Sequence, residues 1–219
     1  MLVAGIDVST DKGIVFLGQG KEVLAKKVID PYSSSEKLLP LFDALLKERE
    51  LEPENLEGII VSLGPGSFTG LRIGVSLAKG LAFVLKVPLV GAPAFDSWVF
   101  SSSAQGILCA VHKGHSSKFY AAFYRKDREM TTRLTEYLFL PLEKIMKMSK
   151  EFSPEKARFL ISYESGFNKI DSVSPFAERI IPEEALLKFG IQRLAKGQSE
   201  DISSLSPLYV APLRVGPAK

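Results

Sequence analysis

Gly64-Pro65-Gly66-Ser67-Phe68-Thr69-Gly70-Leu71-Arg72-Ile73-Gly74 joins a compact apolar run, Gly58 to Leu63, to a long stretch of helical periodicity. The apolar run suits a buried strand, and Gly-Pro-Gly suits the turn that leaves it. A helix is predicted from about Ser67 to Lys86, ending before Pro88, because a residue preceding proline is pushed away from helical dihedrals. The run departs from the Walker A pattern, since no Gly-Lys-Ser or Gly-Lys-Thr follows its glycines. It also departs from the dinucleotide fingerprint: two residues separate that motif's second and third glycines, and three separate Gly66 from Gly70. Two readings of the turn stand. Either Ser67 or Thr69 caps the helix, or an anion sits at its N-terminus, where free N–H groups and the helix dipole converge. As nucleophiles, Ser67 and Thr69 lack any histidine in the same half of the chain to activate them, so capping is the better reading.

Working outward toward the N-terminus, Leu2 to Ser9, Gly13 to Leu17 and Glu22 to Ile29 read as three consecutive antiparallel strands. Ser33-Ser34-Ser35-Glu36 has capping-box spacing. It opens a helix whose Leu38, Leu39, Leu41, Phe42, Leu45 and Leu46 recur at helical intervals, with Pro40 as a potential bend. With Pro88 to Gly91 as a short strand, the first half reads β-β-β-α-β-α-β.

Toward the C-terminus, Ile107 to His112 and Lys118 to Arg125 form a hairpin through Lys113-Gly114-His115-Ser116-Ser117. A third strand is expected near Thr132 to Leu140, then a helix from Pro141 to Lys150 and a strand near Ala157 to Ser162. The last helix runs from Pro182, followed by Glu183 and Glu184, to near Gly197. Ser199 to Lys219 reads as an irregular tail, with periodicity only in Ser206 to Val210. The second half is a degraded echo of the first, which divides the chain into residues 1–103 and 104–219.

Within the signature helix, Gly70, Gly74, Ala78 and Ala82 form an i, i+4 stripe with almost no side-chain bulk, beside a second stripe of Ile73, Leu77, Leu81 and Leu85. A helix apolar over so much of its circumference needs a second covering surface. That surface is either the Leu38 to Leu46 helix or a partner protein.

The eleven-residue run, continued by Ala78-Lys79-Gly80-Leu81-Ala82, resembles the signature of the TsaB (YeaZ) family. The opening Gly5-Ile6-Asp7-Val8-Ser9-Thr10, the Glu36 to Pro40 helix start and Pro88-Leu89-Val90-Gly91 match as well, and coverage is good to about residue 125. Beyond it, Phe119 to Tyr124 and the terminal Pro207-Leu208-Tyr209 carry the match, with Val210, Ala211 and Pro212 where the family commonly has an arginine close by. The resemblance, with the element order, implies an α/β fold of the actin-like (ASKHA, ribonuclease-H-like) class. It further implies a non-catalytic subunit that docks a TsaD-like paralogue, with a TsaE-like ATPase joining and tRNA reached through the complex. The product would be threonylcarbamoyladenosine at position 37 of tRNAs reading codons that begin with adenine. The expected docking surface comprises Leu38, Leu41, Phe42, Leu45, Gly70, Ile73, Gly74, Leu77, Ala78 and Ala82, which would cover a second copy when the chain is alone. The alternative is an autonomous enzyme of the same superfamily, such as a small-molecule kinase.

Against that alternative stand the phosphate-binding positions. Asp7, Ser9 and Thr10 lie where active superfamily members present an acid and phosphate-binding hydroxyls, but Asp11 and Lys12 replace the glycine-rich turn that wraps phosphates. Together with Ser67 and Thr69 they read as an anion or nucleotide remnant. A late glycine pair that would support an adenosine is also missing, with only isolated Gly166, Gly190 and Gly197. His112 and His115, the only histidines, have the wrong spacing for a His-x-x-x-His metal pair, so neither metal nor cofactor is expected.

The 28 basic and 25 acidic side chains leave a net charge of +3, short of the basic field of a stand-alone nucleic-acid binder. Arg125, Lys126 and Arg128, with Lys144, Lys147 and Lys150, read as solvated surface or phosphate contacts. A lone cysteine, Cys109, fits a reducing compartment. With no basic leader before Met1 to Ser9 and no run of about 20 uninterrupted apolar residues, the expectation is a cytoplasmic protein without a membrane span.

Overall fold

The computed structural model describes residues 1–10, 12–29, 34–153, 157–162 and 177–211. Three antiparallel strands open the chain, β1 (Leu2–Asp7), β2 (Gly13–Gln19) and β3 (Glu22–Ile29), followed by α1 (Ser34–Glu48), β4 (Gly58–Gly64), α2 (Phe68–Leu85) and β5 (Leu89–Pro93). Their sheet runs β3-β2-β1-β4-β5, with β1, β4 and β5 parallel. The second half supplies β6 (Gly106–Lys113), β7 (Lys118–Lys126), β8 (Thr131–Arg133), β9 (Leu138–Pro141), α4 (Leu142–Phe152), β10 (Arg158–Ser162) and β11 (Ala177–Ile180). Its sheet runs β8-β7-β6-β10-β11, with the same antiparallel and parallel senses at each step. Both halves therefore repeat one topology, the doubled plan of the actin-like fold.

Two helices complete the architecture: α3 (Ala94–Ser101), directly after β5, and α5 (Pro182–Ala195), directly after β11. Each crosses to the other half. Leu186, Leu187 and Leu194 of α5 pack with Val3, Phe16, Ile60 and Val90 on one face of the first sheet, while α1 and α2 cover the opposite face. Phe95, Trp98 and Val99 of α3 pack with Leu108, Ala110, Ala122 and Tyr124 of the second sheet, whose other face carries Ile145 of α4. Fully burying each of these large side chains contributes about 1.5–3 kcal/mol.

The strand expected near Thr132 to Leu140 is two strands. β8 pairs with the far end of β7 and β9 with its near end, and between them Thr135 Oγ1 accepts from Phe123 N at 3.1 Å. The expected capping hydroxyl of Ser33 lies outside the described residues, as do Gly166 and residues 212–219 of the tail. The described tail has no regular structure but is well fixed to the first half. Glu200 N donates to Leu89 O, Leu208 N to Leu63 O, and the Lys79 ammonium to the carbonyls of Ser203 and Leu205.

Candidate functional site

α2 begins where Ser67 Oγ accepts from Gly70 N at 3.4 Å and ends at Lys86, whose left-handed backbone (φ 56°) closes the last turn. Ser67 is thus the cap, and Thr69 is exposed. The smallest side chains face inward. A Cβ on Gly70 would stand 2.9 Å from Val8 O, one on Gly74 would stand 2.5 Å from Val8 Cγ2, and Ala78 and Ala82 are buried in the core of the first sheet. Close approach of α2 to β1 explains the stripe, which costs about 1 kcal/mol of helix propensity per glycine.

Four residues of the expected docking surface are therefore core residues instead: Gly70, Gly74, Ala78 and Ala82. Leu38, Phe42 and Leu45 of α1 are buried in that core too. Leu41, Ile73 and Leu77 remain half-buried along the outer side. Six of the eighteen residues of α2 are buried, and Phe83 and Val84 near its end are 72% and 74% exposed. The helix is long and apolar enough by composition to cross a membrane, yet its small-residue side is packed on its own sheet.

Of the positions expected to form a nucleotide remnant, only Asp7 and Ser9 meet directly. Asp7 is buried, and its Oδ1 accepts from Ser9 N at 2.9 Å and Ser9 Oγ at 2.6 Å. Burial holds the Asp7 carboxyl above its ordinary range, opposed by the hydrogen bonds from Ser9 and Ser62 and by the charge of His112. Gly66 lies directly on this turn: a Cβ there would stand 2.2 Å from Ser9 O. Thr10 Oγ1 turns away to donate to Lys12 O. Gly66 thus packs its backbone directly against Ser9.

From the second sheet, His112 Nε2 stands 2.8 Å from Pro65 O, and Tyr120 Oη donates to Gly66 O at 3.2 Å. These contacts were not legible in the sequence; the one signal was a histidine closing an otherwise apolar strand, Ile107 to Val111. His115 packs on Phe139, ring centroids 4.7 Å apart, so the two histidines serve different neighbours. Among the described residues no group of three or more His, Cys, Asp or Glu side chains gathers to hold a metal. Of the basic residues, Lys126 donates to the carbonyls of Val99, Phe100 and Ser102 and closes the end of α3. Arg125, Arg128, Lys144, Lys147 and Lys150 are exposed.

Comparison with known proteins gives a match over residues 31–178 to the family described as TsaD: tRNA N6-adenosine threonylcarbamoyltransferase. The tRNA threonylcarbamoyladenosine biosynthesis protein TsaB of Escherichia coli (strain K12) is 24% identical, over 96% of this chain and 94% of its own. The protein of the same name from Bacillus subtilis (strain 168) is 26% identical, over 69% of this chain and 67% of its own. Among solved structures, YeaZ from Pseudomonas aeruginosa superposes with a TM-score of 0.71 at 20% identity, covering 95% of this chain and 99% of that one.

Proposed function

The chain belongs to the TsaB (YeaZ) group within the TsaD-type family, and from that premise we propose that it serves tRNA threonylcarbamoyladenosine biosynthesis as a non-catalytic subunit that docks a TsaD-like paralogue. The observation that carries the docking role is the outer side of α2, where Ile73 and Leu77 stay half-buried beside Leu41 of α1, with Phe83 and Val84 exposed beyond. Exposed and half-buried apolar side chains on one helix favour a protein partner. A paralogue built on the same fold would lay its own two helices against these, and a second copy would do so when the paralogue is absent. A TsaE-like ATPase joins the assembly in this reading, and tRNA is reached through the paralogue.

The non-catalytic reading rests on the first turn, where Asp11 and Lys12 stand in place of the glycine-rich residues that wrap phosphates. Titration calorimetry with the purified paralogue tests the docking, and a nucleotide-turnover assay on the chain alone tests the rest. Saturable binding with no turnover is expected. Turnover abolished by Asp7→Ala would favour the autonomous-kinase reading instead.

A further inference from the structure

His112 is placed between two acceptors. Its Nε2 is 2.8 Å from Pro65 O and its Nδ1 is 2.8 Å from Lys113 O. Carbonyl oxygens only accept, and a neutral imidazole has one N–H, so both contacts are hydrogen bonds only when the ring is the imidazolium. One of them crosses between the halves, because Pro65 lies in the connector from β4 to α2 and His112 lies on β6 of the second sheet. Tyr120 of β7 adds the neighbouring bond to Gly66 O.

Several described groups face the ring. Asp7 faces it from β1, close enough for their charges to interact. The Tyr120 phenol ring stands 4.9 Å away, and burial pushes its titration upward, so it stays neutral in the histidine range. Phe95 and Trp98 of α3 bring uncharged rings at 5.6 and 6.3 Å. Lys113 contributes its carbonyl, with its own side chain exposed.

We propose that His112 is a protonation-dependent latch between the two halves, tying the Gly-Pro-Gly connector to β6 when charged and loosening it when neutral. In the neutral ring one nitrogen turns a lone pair toward a carbonyl oxygen, and that contact becomes repulsive. When the remaining proton sits on Nδ1, bonded to Lys113 O, the Pro65 contact is the one lost; the connector then relies on Tyr120 alone among these two cross-links, and the start of α2 gains freedom to move.

Trp98 is the single tryptophan of the chain and lies beside the ring, so its emission reports the latch. A protonated imidazole quenches a neighbouring indole, and the intact protein should brighten along one titration as the pH rises from about 5 to 8. The step should vanish in His112→Gln, whose side chain does not titrate, and move to lower pH in Asp7→Asn, which removes the facing carboxylate. Over the same interval, hydrogen exchange at the amides of residues 66–70, corrected for intrinsic rates, should quicken by about tenfold in the parent and stay level in His112→Gln. A flat emission profile, an unchanged step in His112→Gln, or exchange that ignores the step would each overturn the latch.

Discussion

Leu205 stands over Gly91: a Cβ built on that glycine would lie 2.6 Å from Leu205 Cδ1. The tail is thereby keyed into the sheet at a position where β5 has no side chain. Leu208 and the Phe68–Tyr209 ring contact, centroids 4.6 Å apart, continue the attachment as far as the start of α2.

Leu205→Ala should therefore loosen the tail before it disturbs the core. A half-buried leucine truncated to alanine is expected to cost about 1–2 kcal/mol, less than the 2–5 of a fully buried one. Limited proteolysis should cut within residues 199–211 faster than in the parent, and urea unfolding should give the stability loss.

Ala78→Leu should act on folding rather than on docking. Ala78 is fully buried between α2 and the sheet, and added methylenes in a packed core cost about 1–3 kcal/mol. Thermal unfolding of the free chain should show the loss, while paralogue affinity measured below the transition stays near the parent value.

Leu77→Ser is expected to have the converse profile. On the half-buried outer side of α2 it should cost the free chain about 1 kcal/mol, yet weaken paralogue binding by about tenfold or more if that side is the centre of the interface. Calorimetry on the same preparation used for unfolding separates the two effects.

Asp7→Asn should change the pH dependence of stability. The folded carboxyl titrates above its ordinary value because it is buried, so its contribution is fully present below the unfolded pKa of about 3.9 and is lost as pH rises through the folded value. The amide keeps an acceptor for Ser9 without the buried charge. The variant should be more stable than the parent at neutral pH, with the advantage shrinking toward pH 4 in denaturant titrations.

β1, β2 and β4 were readable as compact apolar runs because they are buried on both faces, and α2 because its apolar residues recur at helical spacing. α3 left no such trace: Ala94, Phe95, Ser97, Trp98 and Val99 are all buried, and the outer side offers only Asp96 and Ser101 beside an exposed Phe100, too little polarity to set a period over eight residues. β11 is only four residues long, too short for alternation to register. The packing of α2 was half legible. Periodicity displayed two apolar stripes on α2 but not which one meets the sheet, and the close approach of Val8 decided for the glycines. The contact of His112 with Pro65 joins residues far apart in sequence, and no local pattern encodes it.

The exchange of α3 and α5 sets an order of events during synthesis on the ribosome. The strands carrying Val3, Ile14, Phe16, Ile60 and Val90 emerge first, and the helix that shelters them follows only after the strands of the second half. A nascent first half therefore carries a bare apolar sheet face until α5 emerges, a surface open to aggregation or to chaperones. Ribosomes stalled before residue 182 should hold a chain that recruits such chaperones, and release should come only once α5 has cleared the exit tunnel.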